Sequence, residues 1–155
     1  PKDWAALTVL GNTYFNTKKF DDAEQAYDKA VSLKGDHVPA LLGLGRSSLG
    51  LKKSDKAIEV LKAAFAIEPT SADVNHYLGE AYFLIRKGSL GVEHMNKAIE
   101  IAPDEKADLH LRIASLYNTA GYKNLAANEY KLFLKKRPDY PDRQRMEKYI
   151  AENQE

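Results

Sequence analysis

The 155-residue sequence predicts an all-α array of paired helices, and three observations predict it. Gly11, Gly45 and Gly79 recur every 34 residues, with Leu10, Leu44 and Leu78 beside them. Within a copy the apolar residues keep a helical period: Leu7, Leu10 and Tyr14, then Ala23, Tyr27 and Ala30, stand three, four and seven apart. Pro69, Pro103 and Pro138 close successive copies, since a proline has no amide to donate the next helical bond. A period of this size marks a repeat architecture in which each unit buries its apolar face only by stacking on the next.

The elements follow in order. In the first copy Leu7 to Tyr14 lies on one helix and Ala23 to Ala30 on the next, divided by the short polar break Asn16-Thr17-Lys18-Lys19. Asp21, Ser54 with Asp55, and Ser89 open the second helices and are expected to cap them, their side-chain oxygens accepting from unpaired amides. A fourth copy repeats Tyr82 as Tyr117, Pro103 as Pro138 and Gly79 as Ala114, with one residue inserted. The turn at Asp104-Glu105-Lys106 has room for it. Gly11, Gly45, Gly79, Ala114 and the alanines Ala23, Ala57, Ala30, Ala64 and Ala98 let helices approach closely. Tyr14, Tyr27, Tyr82, Tyr117 and Tyr130 fill the space between successive pairs. After Pro138, a helix carrying Met146, Tyr149 and Ile150 on one face is expected to close the last pair, with Asp139 as its cap and Pro141 in its first turn. The basic character of that helix leaves a partner-binding or membrane-surface role as the alternative.

The Leu-Gly, Tyr, Ala, aromatic, Ala, Pro order resembles the tetratricopeptide repeat (TPR) family. The resemblance implies a right-handed α–α superhelix of four helix-turn-helix repeats, residues 4–37, 38–71, 72–105 and 107–140, followed by a capping helix over 141–155. Three positions depart from the pattern. Ser48 stands where a large aromatic belongs, Gly91 where an alanine belongs, and Phe133 where another alanine belongs. The first two are expected to loosen packing, and Phe133 to fit because its neighbour is no longer a repeat.

Lys and Arg number 23 against 22 Asp and Glu, a balance that argues against a dedicated nucleic-acid or anionic-membrane binder. The chain has no cysteine, which excludes a disulfide framework, a thiolate zinc site and a cysteine nucleophile. No apolar run approaches the roughly 18 residues of a membrane span. The first residue is Pro1, so the sequence reads as a segment of something longer. The repeat style points to a bacterial source, and the compartment, cytoplasmic or exported, is left open.

Chemical motifs are few. Gly43 to Lys52 is glycine-rich, but Leu51 separates its last glycine from Lys52 and no Ser or Thr follows, so it does not make a phosphate loop. Arg46-Ser47-Ser48 misses the Gly-x-Ser-x-Gly elbow. His76 and Glu80 share a helix face as a possible pair of metal ligands, too few to close a site. His37 reads as a turn residue, His94 as a surface residue and His110 as half-buried. Lys135, Lys136 and Arg137 suit the negative end of a helix dipole. No catalytic constellation is present, and neither an enzyme activity nor a cofactor is expected.

Similarity to the TPR family implies a concave groove lined by the first helix of each pair. The rows Thr8, Leu42, His76, Leu111 and Asn12, Arg46, Glu80, Ser115 fall there. So do Val9, Gly43, Tyr77, Arg112 and Phe15, Leu49, Phe83, Asn118. The expected peptide-binding residues are Asn12, Leu42, Arg46, His76, Tyr77, Glu80, Phe83, Leu111 and Arg112, which mix apolar anchors with directional charges. Arg46 is expected to be engaged by Glu80, leaving Arg112 as the better anion site, and the groove side chains are expected to lie off the core. A known subclass grips the acidic tails of heat-shock chaperones with a carboxylate clamp. Its positions correspond to Thr8, Asn12, Gly43, Asp73 and Tyr77, of which only Asn12 agrees. The expected function is a protein-interaction scaffold holding a peptide or protein segment, the alternative being a module that self-associates.

Overall fold

The computed structural model describes residues 3–154, and among them it contains nine α-helices and no strand. They are α1 (Asp3–Asn16), α2 (Phe20–Leu33), α3 (Val38–Gly50), α4 (Ser54–Ile67), α5 (Ala72–Leu84), α6 (Gly88–Ile101), α7 (Leu109–Thr119), α8 (Lys123–Lys136) and α9 (Arg143–Glu152). Two compact units divide within α6, one running through His94 and the other starting at Met95. The inserted residue of the fourth copy lies in the turns at 103–108. Pro69, Pro103 and Pro138 each follow a helix end within two residues.

The turns inside the pairs are built alike. Lys18, Lys52 and Arg86 take positive φ of 59°, 59° and 61°, and Gly121 takes 85°. At each, the left-handed residue donates to a carbonyl three back and the following amide to one five back: Lys18 to Phe15 with Lys19 to Tyr14, and Lys52 to Leu49 with Lys53 to Ser48. This Schellman closure satisfies the last carbonyls of the first helix and sets the chain directly into the second. It also displaces the expected caps. Asp21, Ser54, Asp55 and Ser89 lie inside the first turns, and the preceding Lys19 and Lys53 make no side-chain cap bond. A capping side chain is found at Ser71, whose hydroxyl accepts from the Val74 amide at 3.4 Å.

In the first unit α3 packs on α2 and α5 on α4. Ala23, Tyr27 and Ala30 of α2 meet Ala40 and Leu44 of α3, and Ala57 and Leu61 of α4 meet Leu78 and Ala81 of α5. Tyr27 is the knob of the first joint. A Cβ on Gly11 would come within 2.6 Å of its ring and one on Gly43 within 2.4 Å, so both helices close on a ring that any larger residue would push out. Gly45 is held against Leu61 in the same way. Gly91 does not loosen its joint: a Cβ there would stand 3.0 Å from the Gly79 carbonyl oxygen, so the missing methyl brings the two helices closer.

Ser48 leaves no gap either. It is buried, and its hydroxyl donates to Glu24 Oε1 at 3.0 Å. The Glu24 side chain, also buried, occupies the place an aromatic would take and receives Lys53 Nζ at 2.6 Å and Lys56 Nζ at 3.2 Å. Burial of this carboxyl opposes ionisation, but hydrogen bonds from Lys53, Ser48 and Lys56 outweigh it and hold its pKa below the usual value.

In the second unit His110 of α7 is buried, with Nδ1 2.6 Å from Glu129 Oε2 on α8. Phe133 packs edge-on against Tyr140 and joins Ala127, Leu134 and Ile150 in one cluster, with Met146 and Tyr149 on its flank. The face of α9 that covers α8 is the one carrying Met146, Tyr149 and Ile150, and Tyr149 also donates to Asn118 Oδ1 at 2.8 Å. The helix starts later than expected, at Arg143. Asp139 and Pro141 lie in the turn before it, and the N-cap residue is Asp142.

Candidate functional site

The first helices of the first three pairs, α1, α3 and α5, bring the site residues of the first unit together around Arg46. Its guanidinium carbon lies 4.3 Å from the centroid of the Phe15 ring and 4.9 Å from that of Tyr77. One cation therefore joins three helices through two aromatic rings. A planar guanidinium suits such a stack because it is weakly hydrated and rigid, and each contact is worth about 0.5–2 kcal/mol. This differs from the expected pairing with Glu80. The helical register allowed that pair, but the guanidinium lies against Phe15 and Tyr77 instead. The Nε of Arg46 is buried in the stack without a hydrogen-bond partner, while the residue as a whole is half-exposed.

The stack continues outward, the His76 ring lying over Tyr77 at 4.5 Å and 18° between planes. Tyr77 is half-buried and packs on the Ala57, Leu61, Leu78 and Ala81 cluster. The expectation that groove side chains lie off the core fails here, because position six of this helix faces both the surface and the preceding pair. Leu42 is likewise half-buried, shared between two core clusters. Asn12 is exposed on α1 and accepts the Tyr27 hydroxyl at 2.6 Å, which ties the groove edge to the Tyr27 knob. Burial raises the pKa of Tyr27, and the nearby charge of Arg46 opposes the rise. Glu80 and Phe83 are half-buried on the same helix as Tyr77. Leu111 and Arg112 are half-buried on α7 and belong to the second unit, where Leu111 packs on the Phe133 cluster.

His94 is not the surface residue that its sequence position suggested. It is half-buried, stacked on Tyr82 at 5.5 Å and edge-on to Phe65 at 5.3 Å. Its Nδ1 lies 3.0 Å from Asn75 Oδ1, and the Asn75 amide nitrogen donates to the carbonyls of Pro69 and Ser71. Those two donations fix which end of the amide faces His94, so Nδ1 of the imidazole carries the proton. Phe15 and Tyr27 are the contributors that the site list lacked. Phe15 carries a signal in the sequence, three residues after Asn12 on the same helix, whereas Tyr27 lies on α2, sixteen residues from both Gly11 and Gly43, and reaches the site only through packing.

Two family models of the tetratricopeptide repeat match, one over residues 4–37 and the other over residues 38–71. Residues 4–71 belong to the tetratricopeptide repeat family. Among solved structures, this TPR chain superimposes on a crystal structure of MamA with a TM-score of 0.80 at 22% identity, covering 98% of this chain and 90% of that one. MamA 41-end from Desulfovibrio magneticus gives 0.82 at 24% identity, covering 91% and 79%. A thermophilic TPR protein of Thermus thermophilus gives 0.72 at 22%, covering 96% and 80%. These similarities establish an all-α TPR solenoid fold. By sequence the TPR chain is 28% identical over 131 residues to the BBSome complex member BBS4 of Bos taurus, which covers 84% of this chain and 25% of that protein. It is 25% identical over 97 residues to the anaphase-promoting complex subunit 6 of Arabidopsis thaliana, covering 63% and 18%. The chain thus spans a quarter or less of these two relatives. Its tetratricopeptide repeats support a protein-interaction scaffold in general terms. No helix among the described residues is long and apolar enough to cross a membrane.

Proposed function

We propose that the α1, α3 and α5 face of the first unit captures an extended or helical peptide, with an acidic group over Arg46 and an apolar side chain against Tyr77 and Phe83. The observation that carries this reading is the stacked guanidinium. Its guanidinium lies against two rings rather than a carboxylate, and the residue stays partly exposed. A cation already fixed in place loses little rotamer freedom when a ligand arrives, and a carboxylate can meet the edge of the guanidinium while the ring contacts stay in place. Asn12 and Leu42 flank it with one polar and one apolar contact, and His76 and Glu80 border the same face. Leu111 and Arg112, in the other unit, are not part of this site. The work is binding rather than catalysis, and nothing in the proposed contacts calls for a cofactor.

The test pairs a peptide carboxylate with Arg46. A peptide panel is panned on the full chain, and the best acidic binder is remade with its acid as the amide. Arg46→Gln should weaken the acidic peptide by about 1 kcal/mol or more, the level that marks an interface residue of consequence. It should leave the amide peptide's affinity unchanged. If the acid-to-amide change costs the same in both proteins, Arg46 does not read the acid and the site lies elsewhere.

A further inference from the structure

Tyr27 is a core residue with one polar end. Its ring is 1% exposed and wedged against Gly11 of α1 and Gly43 of α3, so it cannot shift without parting those helices. The counterparts of Tyr27 in the next two repeats are Leu61 and Met95, which have no hydroxyl. Here the hydroxyl donates to Asn12 Oδ1 at 2.6 Å. Burial raises the Tyr27 pKa, so the hydroxyl keeps that proton at neutral pH.

The bond decides which way the Asn12 amide faces. A carboxamide accepts at one end and donates at the other, and on an exposed side chain water would serve either end equally well. Asn12 is exposed, and with Oδ1 on the hydroxyl its NH2 is the end left for solvent or a ligand. Turned over, the amide would set its NH2 against the hydroxyl and take the acceptor away from a buried proton, which is a costly arrangement. Arg46 works in the same direction. Its guanidinium lies 4.3 Å from the ring of Phe15, which stands one helical turn after Asn12 on α1. Its charge also reaches the Tyr27 hydroxyl and disfavours a proton aimed towards it. A guanidinium donates and never accepts.

We propose that Tyr27 is a positioning residue for the peptide site: by holding Asn12 Oδ1 it turns the Asn12 NH2 outward beside Arg46, so that this end of the groove offers donors alone. Such an end favours a carboxylate, which accepts with both oxygens, over a carboxamide of the same shape, whose own NH2 would meet a donor. The inference rests on the reading of Arg46 as the place of the acid, and it adds the residue that makes the site discriminate.

Acetate, with acetamide as its uncharged isostere, tests it by NMR titration of the full chain, following the side-chain signals of Arg46 and Asn12. Acetate should move both sets of signals and bind at least about threefold more tightly than acetamide. Tyr27→Phe should bring the two probes close to parity, with its circular dichroism unchanged. Asn12→Ala should do the same, and Tyr27→Phe added to Asn12→Ala should change the preference no further, because the hydroxyl acts only through the amide. Asn12 lies on the surface, so should Tyr27→Phe unfold, an unchanged preference in Asn12→Ala overturns the proposal by itself. Arg46 signals that move with acetate while those of Asn12 stay still overturn the role of Tyr27 and leave the Arg46 reading standing. If neither set moves, both fall. A Tyr27→Phe chain that weakens both probes by one factor, or that lowers the preference again on top of Asn12→Ala, acts through packing and overturns the proposal.

Discussion

Lys18, Lys52 and Arg86 hold the left-handed conformation at the same point of three turns, each with a Cβ that this conformation disfavours by about 1–2 kcal/mol. Only the fourth turn has a glycine there, Gly121. Lys52→Gly should therefore raise stability by about 0.5–1 kcal/mol in urea denaturation, after the glycine's own entropy cost. Lys62→Gly, on the exposed side of α4, should lower it by about 1 kcal/mol. Equal effects at the two sites would remove the left-handed strain from the account. Glu24 supplies a second prediction at this scale. Its folded pKa lies below the unfolded value, so its contribution is present above the unfolded value and is lost as pH falls through the folded one. Glu24→Gln should cost about 1.5–3 kcal/mol at neutral pH, the scale of a hydrogen bond to a charged group. The deficit should shrink as pH drops below about 4, the ordinary carboxylate range. A deficit that stays constant from pH 7 to pH 3 would mean that the carboxylate's charge does nothing for the fold.

Between elements, what counts is how one pair meets the next. Glu24 and Ser48 form one solution to the first joint, and Ile58 with Tyr82 form another one joint later, at the same two positions. A long polar arm on a small hydroxyl replaces an aliphatic on a ring. Ser48→Tyr should destabilise by about 1–3 kcal/mol by overpacking, and Glu24→Ile should leave a buried hydroxyl unpaired, while the double substitution should recover most of the loss. Strict additivity would show that the two positions do not share one space. The last element has its own prediction. Removing residues 139–155 exposes the Phe133 cluster and deletes Ile150, whose burial alone is worth about 1.5–3 kcal/mol. The melting temperature should fall clearly, and an unchanged value would make α9 a detachable arm.

The joints also show what was legible in the sequence. The period, the helix pairs and the closing helix could be read because Gly11, Gly45, Gly79 and the prolines are constrained one at a time. The partners of Ser48, Gly91 and Arg46 could not, because each is decided by a residue on another helix: Glu24 for the first, the Gly79 carbonyl for the second, Phe15 and Tyr77 for the third. The cap positions were misread for a local reason, since the closure at Lys18 or Lys52 makes Lys19 and Lys53 the N-caps and puts Asp21 and Ser54 inside the first turn.

For the whole molecule, a chain of stacked pairs is held by nearest-neighbour contacts, so the helix that buries the fewest residues should open first. Helix α1 is that case among α1, α3 and α5, with Ala6, Val9, Leu10 and Thr13 exposed. Measured as dilute single chains, its amides should exchange with solvent faster than those of α3 and α5, and equal protection across the three would contradict it. The Glu24 joint has one more consequence at this scale. Repeats of a solenoid are in principle interchangeable bricks, and an array could be lengthened, shuffled or recombined at any boundary. This boundary is keyed. If the second repeat were replaced by a copy of the third, Glu24 would face the ring of Tyr82 in place of a hydroxyl, and Lys87 would remain in the place of Lys53, but Lys56 would be replaced by Leu90. The carboxylate would keep one cation and lose its other two partners. An exchange that keeps this joint's contacts must therefore move the first two repeats together.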